Sequence, residues 1–276
     1  MNKPDTNFLK QKANDLRAEV VKMVGVGPTG HIGGSCSAAD LVAALYFHKM
    51  KHDPKNPKMP DRDRFVMSKG HAAIIQYAAL AECGYFEKSR LMTLKEFGSK
   101  LQGHPDMNKL EGIEANTGSL GQGLSIASGI AAALKMDRID ARAYCLMGDG
   151  EISEGQIWEA AMSASHYQLD NLVAIVDANG IQATGRIRER YDTGNLADKF
   201  RAFGFTVSEI NGHDMDAIVD ALNKTDQHTG KPYAIIAETV KGKGVPCAED
   251  TAAFHNGALT KEQYCEALNA LGVKEG

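Results

Sequence analysis

The sequence has few aromatic residues, no long apolar run and little excess of charge of either sign. Its 276 residues include one tryptophan, 7% of them are aromatic, and the formal net charge at pH 7 is −4. So small a net charge argues against a surface built mainly to bind nucleic acid. Because no apolar run could span a bilayer and the first residues lack the apolar core of a signal peptide, we expect no membrane partner.

Cysteine is also scarce. The five cysteines are scattered, odd in number and without the paired spacing of a disulfide framework or a zinc site. They are expected to be reduced thiols, which favours a cytoplasmic protein. The hydrophobic content of 43% and the charged content of 24% are ordinary for a globular chain. Since one large core is the simplest solution at this length, we predict a single domain over residues 1–276.

Short apolar runs that alternate with helical patterns predict an α/β fold. Residues 143–147 and 172–176 have the composition of buried strands, and residues 155–167 between them have a helical pattern. The fold class is therefore a mostly parallel central sheet with helices on both faces. Further strands are expected at 65–67, 205–207 and 233–237, and further helices at 6–24, 38–49, 72–83, 124–135, 196–203, 215–223 and 261–271. N-terminal caps are expected at Ser37, Asp214 and Thr260, the last with Gln263. Residues 183–195 are predicted to form a polar loop, and residues 93–103 an irregular stretch with a short helix.

Two polar turns, 148–150 and 177–180, follow the two central strands. Asp149 offers a carboxylate, Asn179 an amide oxygen and Ile181 a carbonyl, which are the hard oxygen ligands that magnesium prefers. The glycines of the first turn let a large anion approach the backbone. Either turn alone is more often an ordinary turn. Since both end adjacent strands, where ligands bind in parallel sheets, a magnesium and phosphate site becomes an equal alternative.

Four of the nine histidines, His31, His71, His104 and His255, lie in loops that contain glycine. For the other five, His48, His52, His166, His213 and His228, a surface or structural role is the simpler interpretation. His71 and Lys69 precede a helix whose free amides and dipole favour an anion.

Charged residues in two further loops each have two possible roles. Lys241 and Lys243 are either solvated or close to a diphosphate. Glu154 starts a helix, where it either complements the dipole or serves as a proton-relay carboxylate.

Taken in order and at their spacings, these motifs resemble the amino-terminal half of transketolase almost from end to end. The turns 148–150 and 177–179 resemble the thiamine diphosphate motif, which alone marks only a large superfamily. The other stretches that carry the resemblance are 30–31, 68–72, 103–105, 117–123, 151–155 and 241–244 with His255. The resemblance implies a thiamine diphosphate-binding fold.

The resemblance also implies roles for individual residues. Asp149, Asn179 and the Ile181 carbonyl would hold magnesium, while His31, His104 and His255 would face the substrate, with His31 and His255 as proton carriers. Cofactor contacts are implied for Lys69, His71, Gly118, Ser119, Leu120, Gly150, Glu151, Asn179, Lys241 and His255. Glu154 would be the relay carboxylate that links two active sites through a dimer. Gly34 and Ala183 depart from some family members, which have serine and isoleucine there.

The implied reaction is the transfer of a two-carbon ketol unit from a ketose or ketose phosphate to an aldose or aldose phosphate. Family enzymes continue into a pyrimidine-binding domain that supplies the activating glutamate, whereas this sequence stops at Gly276. We therefore expect an α2β2 assembly with a separate pyrimidine-binding subunit. Pentose phosphates are the default expectation for the substrates, and a sulfonated or a branched sugar is the alternative. The alternatives are a 2-oxo acid dehydrogenase subunit, a deoxyxylulose phosphate synthase, or a cofactor-binding module without turnover.

Overall fold

A five-stranded parallel sheet organises the chain, and the computed structural model describes residues 4–273. Along the sheet the strands run in the order β2, β3, β4, β8 and β7, and every neighbouring pair is parallel. Their bounds are β2 Arg64–Met67, β3 Ala143–Gly148, β4 Leu172–Ala178, β7 Thr206–Asn211 and β8 Tyr233–Glu238. Two small antiparallel pairs lie beside the sheet, β1 Thr29–Gly30 with β9 Gly257–Ala258 and β5 Ile181–Gln182 with β6 Gly185–Arg186.

Helices cover both faces of the sheet, as the sequence predicts. On β4, Val173 and Ile175 join the core beneath one layer of helices, and Ala174 and Val176 join the core beneath the other. Both faces of the strand are buried, which explains its almost continuous apolar sequence. The α-helices are α1 Thr6–Val24, α2 Ile32–Ser37, α3 Ala39–Ala44, α4 Ala73–Cys83, α5 Gln122–Met136, α6 Gly155–His166, α7 Ile187–Arg190, α8 Leu196–Ala202, α9 Met215–Lys224 and α10 Lys261–Ala270. None of these described helices is long and apolar enough to cross a bilayer.

The register of the sheet brings the polar turns to one edge. Gly148 of β3 pairs with Asp177 of β4, and Ala178 of β4 pairs with Glu238 of β8. The three central strands therefore end almost level with one another. The segments that follow them leave the sheet side by side, which is the arrangement on which the predicted site depends.

The second helix differs from its prediction. Residues 38–49 were expected to form one helix capped by Ser37, but Ser37 is the last residue of α2. After it come the short α3 and a π-helical turn at Leu45–Lys49. The helix starts earlier because residues 32–34, which include two glycines, are already helical. A Cβ on Gly33 would lie only 3.0 Å from the Lys241 side chain, so this backbone packs tightly against a distant loop.

Other boundaries were predicted more closely. The predicted bounds of α1 are confirmed, as are the Asp214 cap of α9 and the capping box of Thr260 and Gln263 at α10. The polar loop at 183–195 contains the short β6 and α7, and the strand expected at 205–207 continues to residue 211. The prediction of a short helix within 93–103 was wrong, because the nearest helical segment is the 3₁₀ helix at Lys88–Thr93.

Close packing of α5 on the sheet gives a first prediction. A Cβ on Gly123 would lie 2.3 Å from Ser68 Oγ and 2.7 Å from Ser68 Cα, whereas a Cβ on Gly129 of the same helix would meet nothing within 4 Å. We expect Gly123→Ala to lower the free energy of unfolding by about 1–3 kcal/mol through overpacking. The control, Gly129→Ala, should raise it by up to about 1 kcal/mol through helix propensity. Urea unfolding measures both, and equal stabilities of the two variants would contradict this packing.

Candidate functional site

A fully buried carboxylate, Asp177, lies near the end of β4 and collects donors from several segments. Lys69 Nζ donates to it at 2.5 Å, Ser37 Oγ at 2.6 Å and Asn179 Nδ2 at 2.9 Å, and Thr239 Oγ1 donates to its second oxygen. Burial alone would raise the pKa of Asp177, but the Lys69 charge and the donated hydrogen bonds hold it below its usual value. The carboxylate is thus ionised and joins the ends of three strands to α2.

No role of its own was predicted for Asp177 from the sequence. Its signal was nevertheless present, because one carboxylate ends a run of five apolar residues in a strand buried on both faces. A buried charge of this kind requires a partner. That partner is Lys69, which was expected near a diphosphate and which lines a cavity at this edge of the sheet. Its ammonium group is paired with Asp177 and also donates to the Gly34 carbonyl at 2.6 Å.

Asp149 spans the ends of β3 and β4. Its Oδ1 accepts from the Gly150 amide at 2.9 Å, and its Oδ2 accepts from the Gly180 amide at 2.5 Å. Burial and then the charge of Asp177 raise the pKa of Asp149 to about 6. Because this environment disfavours the ionised form of Asp149, a nearby cation would stabilise its carboxylate.

Two more oxygens lie in the same region. Asn179 Oδ1 accepts from the Ile181 amide at 3.2 Å, and the Ile181 carbonyl accepts from Lys241 Nζ at 2.6 Å. Together with Asp149 these form a set of one carboxylate, one amide oxygen and one carbonyl, which is the donor chemistry of magnesium sites that a phosphate completes. The Ile181 carbonyl is therefore paired with a cationic group, the Lys241 ammonium.

Asp149, Asn179, Ile181 and Lys241 all line one cavity of about 290 Å³ at the carboxyl edge of the sheet. The lining residues are Gly34, Lys69, His71, Leu120, Gly148, Asp149, Gly150, Glu151, Asn179, Ile181, Gln182, Ala183, Thr184, Lys241 and His255. Most of the residues that the sequence singled out are therefore brought together. His31, His104, Gly118, Ser119 and Glu154 lie outside this set of lining residues.

The four loop histidines nevertheless form one cluster. The ring centroid of His31 lies 5.2 Å from that of His71, 5.5 Å from that of His255 and 6.3 Å from that of His104. The rings of His71 and His255 are 4.9 Å apart. The small β1 and β9 pair brings residues 29–30 beside residues 257–258, which places loops from opposite ends of the chain together.

Burial keeps these rings neutral in the protein alone. It lowers the pKa of His71 to about 2, with a further contribution from the Lys69 charge, and that of His31 to about 4, with help from His255. Burial and then Lys241 lower the pKa of His255 to about 4. An unperturbed histidine titrates near neutrality, so burial shifts these rings towards the neutral form. Each ring can donate one hydrogen bond and accept another at pH 7.

A glycine-rich loop packs over this cluster. A Cβ on Gly118 would lie 2.9 Å from the ring of His104, and a Cβ on Gly70 would lie 2.6 Å from the Gly118 amide. Gly118 also has a φ of +145°, in the region that favours glycine. Burial and then Lys95 lower the pKa of His104. Ser119 and Leu120 continue this loop, and Leu120 reaches the cavity wall.

Glu151 fastens the same loop to the end of β3. Its buried carboxylate accepts from the Gly121 amide at 2.9 Å, from the Gly148 amide at 3.0 Å and from Ser68 Oγ. Burial raises its pKa, and these donors oppose that shift. Glu151 lines the cavity while its oxygens are held by donors of the protein, so its observed contacts position the backbone around the site.

Glu154 occupies the N-cap position of α6 and is exposed. Within the described chain its carboxylate makes no capping hydrogen bond. Its Cβ packs against Gly121, where an added Cβ would lie 2.5 Å away. Glu154 therefore lies outside the cavity lining, and the relay role that the sequence suggested stays a prediction.

The buried pair of Lys69 and Asp177 gives a second prediction. Lys69→Met leaves the Asp177 carboxylate buried without its cation, and we expect the free energy of unfolding to fall by about 3–5 kcal/mol. Adding Asp177→Asn removes the uncompensated charge, so the double variant should be more stable than Lys69→Met alone. Denaturant unfolding of the three proteins provides the measurement. A Lys69→Met protein as stable as the parent would contradict the role assigned to this pair.

Comparison with known proteins agrees with the geometry. The family model described as "Transketolase, thiamine diphosphate binding domain" matches residues 9–275. The chain is 46% identical over 268 residues to the 6-deoxy-6-sulfo-D-fructose transketolase subunit SqwG of Clostridium sp. (strain MSTE9), covering 97% of each chain. It is 45% identical over 266 residues to an apulose-4-phosphate transketolase subunit of Phocaeicola vulgatus, covering 96% of this chain and 94% of that one.

Solved structures give the same result. The structure of transketolase from Campylobacter jejuni aligns with a TM-score of 0.91 and 36% identity, covering 99% of this chain and 44% of that chain. Transketolase from Leishmania mexicana aligns with a TM-score of 0.91 and 32% identity, covering 96% of this chain and 41% of that one. The chain belongs to the transketolase family, and it corresponds to the thiamine diphosphate-binding domain of those enzymes.

Proposed function

We propose that this chain is the thiamine diphosphate-binding subunit of a two-subunit transketolase that transfers a two-carbon ketol unit between sugars. The observation that carries the proposal is the cavity at the carboxyl edge of the sheet, where Asp149, Asn179 and Lys241 meet the histidine cluster. Two relatives named as transketolase subunits match almost the whole chain, which supports the subunit form.

The anionic end of the cofactor fits the polar wall of this cavity. Magnesium would be held by Asp149, Asn179 Oδ1 and the Ile181 carbonyl, which supply hard oxygens and leave the remaining positions to phosphate oxygens. His71, the Gly150 amide, Lys241 and His255 would contact the diphosphate. These positions are supported by the donors that surround the cavity and by the absence of side chains on its glycines.

The carbanion chemistry is supplied by the cofactor, and the protein contributes binding, orientation and proton handling. Neutral rings at His31, His104 and His255 can each donate to a hydroxyl or carbonyl of a sugar. A bound diphosphate would raise the pKa of His255 and of Lys241, because its negative charge favours their protonated forms. General acid and base assistance of this kind is worth roughly 10²- to 10⁴-fold in rate.

The partner in this proposal is a separate pyrimidine-binding subunit in an α2β2 assembly within the cytoplasm. That subunit would supply the glutamate that activates the cofactor and most of the groups that recognise the substrate phosphate. Exposed Glu154 would face the assembly interface and relay protons between sites. For substrates we infer an anionic ketose donor and aldose acceptor, with pentose phosphates, sulfonated sugars and branched sugar phosphates as the panel to test.

Metal-dependent binding provides the third prediction. Asp149→Asn removes the carboxylate of the proposed magnesium site, and we expect it to weaken thiamine diphosphate binding in the presence of magnesium by at least about tenfold. Asp220→Asn, at an exposed position on α9, is the matched control and should bind like the parent. Titration calorimetry with and without magnesium, on the chain with and without its partner subunit, measures both. Equal affinities of Asp149→Asn and the parent would exclude Asp149 as a ligand.

Turnover provides the fourth prediction. With the partner subunit present, we expect His255→Ala to reduce kcat by about 10²-fold, because a proton carrier and a diphosphate contact are lost together. His228→Ala, which changes an exposed histidine outside the cavity lining, should retain parental activity. A coupled assay of aldose and ketose products follows the reaction across the substrate panel.

Three outcomes would contradict the proposal in whole or in part. If His255→Ala turns over within twofold of the parent, His255 has no catalytic role. If the purified chain alone shows full turnover, the two-subunit form is wrong. Cofactor binding without turnover in any combination with the partner subunit would instead favour a non-catalytic module.

A further inference from the structure

His213 lies in a turn that is pressed against the end of β8. The Gly212 amide donates to the Glu238 carbonyl at 2.7 Å, and a Cβ on Gly212 would lie 2.5 Å from the side chain of Thr239. Position 212 therefore has no room for a side chain between the turn and the end of β8. The turn therefore has a defined position relative to the segment that leaves β8 and carries Lys241.

The ring of His213 connects that segment to the helical layer. The Val240 amide donates to Nε2 at 2.8 Å, and Nδ1 lies 2.8 Å from Asp40 Oδ2. A backbone N–H can only donate, so Nε2 carries no proton in this arrangement. The ring is therefore the neutral tautomer with its proton on Nδ1, which donates to Asp40.

Asp40 is itself held in place. It is buried on α3, and Arg17 of α1 donates to the same carboxylate through Nη2 and to the Cys36 carbonyl through Nε at 3.1 Å. Burial would raise the pKa of Asp40, but hydrogen bonds from His213 and Arg17 lower it below its usual value. The acceptor for the His213 ring is consequently a buried, ionised carboxylate that Arg17 also holds.

The segment after β8 is held residue by residue. The Thr239 amide donates to the Ala178 carbonyl at 3.2 Å, and the Gly242 amide donates to the Gly33 carbonyl at 2.9 Å. Val240, between them, has His213 as its acceptor. These three bonds set the direction in which Lys241 leaves the backbone.

The side chain of Lys241 extends from this segment along the cavity wall. Its ammonium group reaches the Ile181 carbonyl at 2.6 Å and His255 Nδ1 at 3.1 Å. We propose that His213 is a positioning residue for Lys241: its ring transmits the fixed position of Asp40 to the Val240 amide and so aims the lysine at the diphosphate. This rests on the proposed function, in which Lys241 contacts the diphosphate. From the sequence, a surface or structural role was the simpler interpretation for His213.

The two ring nitrogens can be tested separately. Asn at position 213 can present a donor near the Nδ1 position for Asp40 but is too short to reach Val240. Gln is long enough to present a carboxamide oxygen to the Val240 amide in place of Nε2, while its contact with Asp40 is lost. If positioning depends on the bond to Val240, Gln should rescue what Asn does not.

The experiment measures binding of inorganic pyrophosphate and of thiamine diphosphate, each with magnesium, by calorimetry on the full chain and on its complex with the partner subunit. For His213→Asn we expect about tenfold weaker binding of both probes, the effect of losing one buried hydrogen bond. His213→Gln should bind within about threefold of the parent. Hydrogen exchange of the Val240 amide should be slow in the parent and in His213→Gln, and fast in His213→Asn.

A control separates positioning from stability. Asp214→Ala removes the N-cap of α9 beside His213, and we expect it to lower the melting temperature by roughly 2 to 4 °C while leaving pyrophosphate affinity unchanged. Nitrogen-15 spectra of the parent should show the His213 ring protonated at Nδ1. A ring protonated at Nε2, or a His213→Asn protein that binds pyrophosphate within twofold of the parent, would overturn the inference.

The proposed function fails in a different way. If the parent binds neither probe, alone or with the partner subunit, the diphosphate site itself is wrong, and the role of His213 falls with it. If the parent binds both probes and only the His213 variants behave contrary to expectation, the proposed function stands and the positioning role does not.

Discussion

The buried ion pair of Asp177 and Lys69 is the contact on which the loops of the site depend. Removing two charges from water is costly, and the cost is offset only when both partners are held in good geometry with further hydrogen bonds. Here Ser37, Asn179 and Thr239 complete the shell of Asp177. These donors come from α2 and from the ends of β4 and β8. The hydrogen bonds that satisfy this one carboxylate therefore also fix the positions of the surrounding loops relative to one another.

The same burial governs the chemistry of the cavity. A histidine exposed to water titrates near neutrality, but desolvation disfavours the charged ring, and nearby lysines add to the effect. The low pKa values of His31, His71 and His255 therefore make them neutral hydrogen-bonding groups before any ligand arrives. An anionic cofactor would reverse part of this shift through its own charge. In the proposed function, cofactor binding would therefore be coupled to proton uptake by these groups.

Much of the fold could be predicted because its signals are local. A continuous apolar run such as 172–176 indicates a strand buried on both faces, and a capping box such as that of Thr260 and Gln263 lies within four residues. The Asp149 and Asn179 turns were also recognisable, since the ends of neighbouring parallel strands meet at one edge. Short elements were predicted less well. In the helix at Ile32–Ser37, Gly33 packs against the side chain of Lys241, and nothing near it in the sequence reports that contact.

The sequence by itself determined the class of fold, the strands that carry the polar turns and the motifs that place the chain among transketolases. Three contacts were decided only by the tertiary structure. Asp177 joins these loops, Glu151 accepts from the loop that packs on His104, and His213 accepts from the Val240 amide next to Lys241. The physical reason is distance along the chain. A hydrogen bond between Asp40 and His213, or a pKa set by burial, depends on which residues the folded chain brings together, whereas strand and cap signals depend on adjacent residues alone.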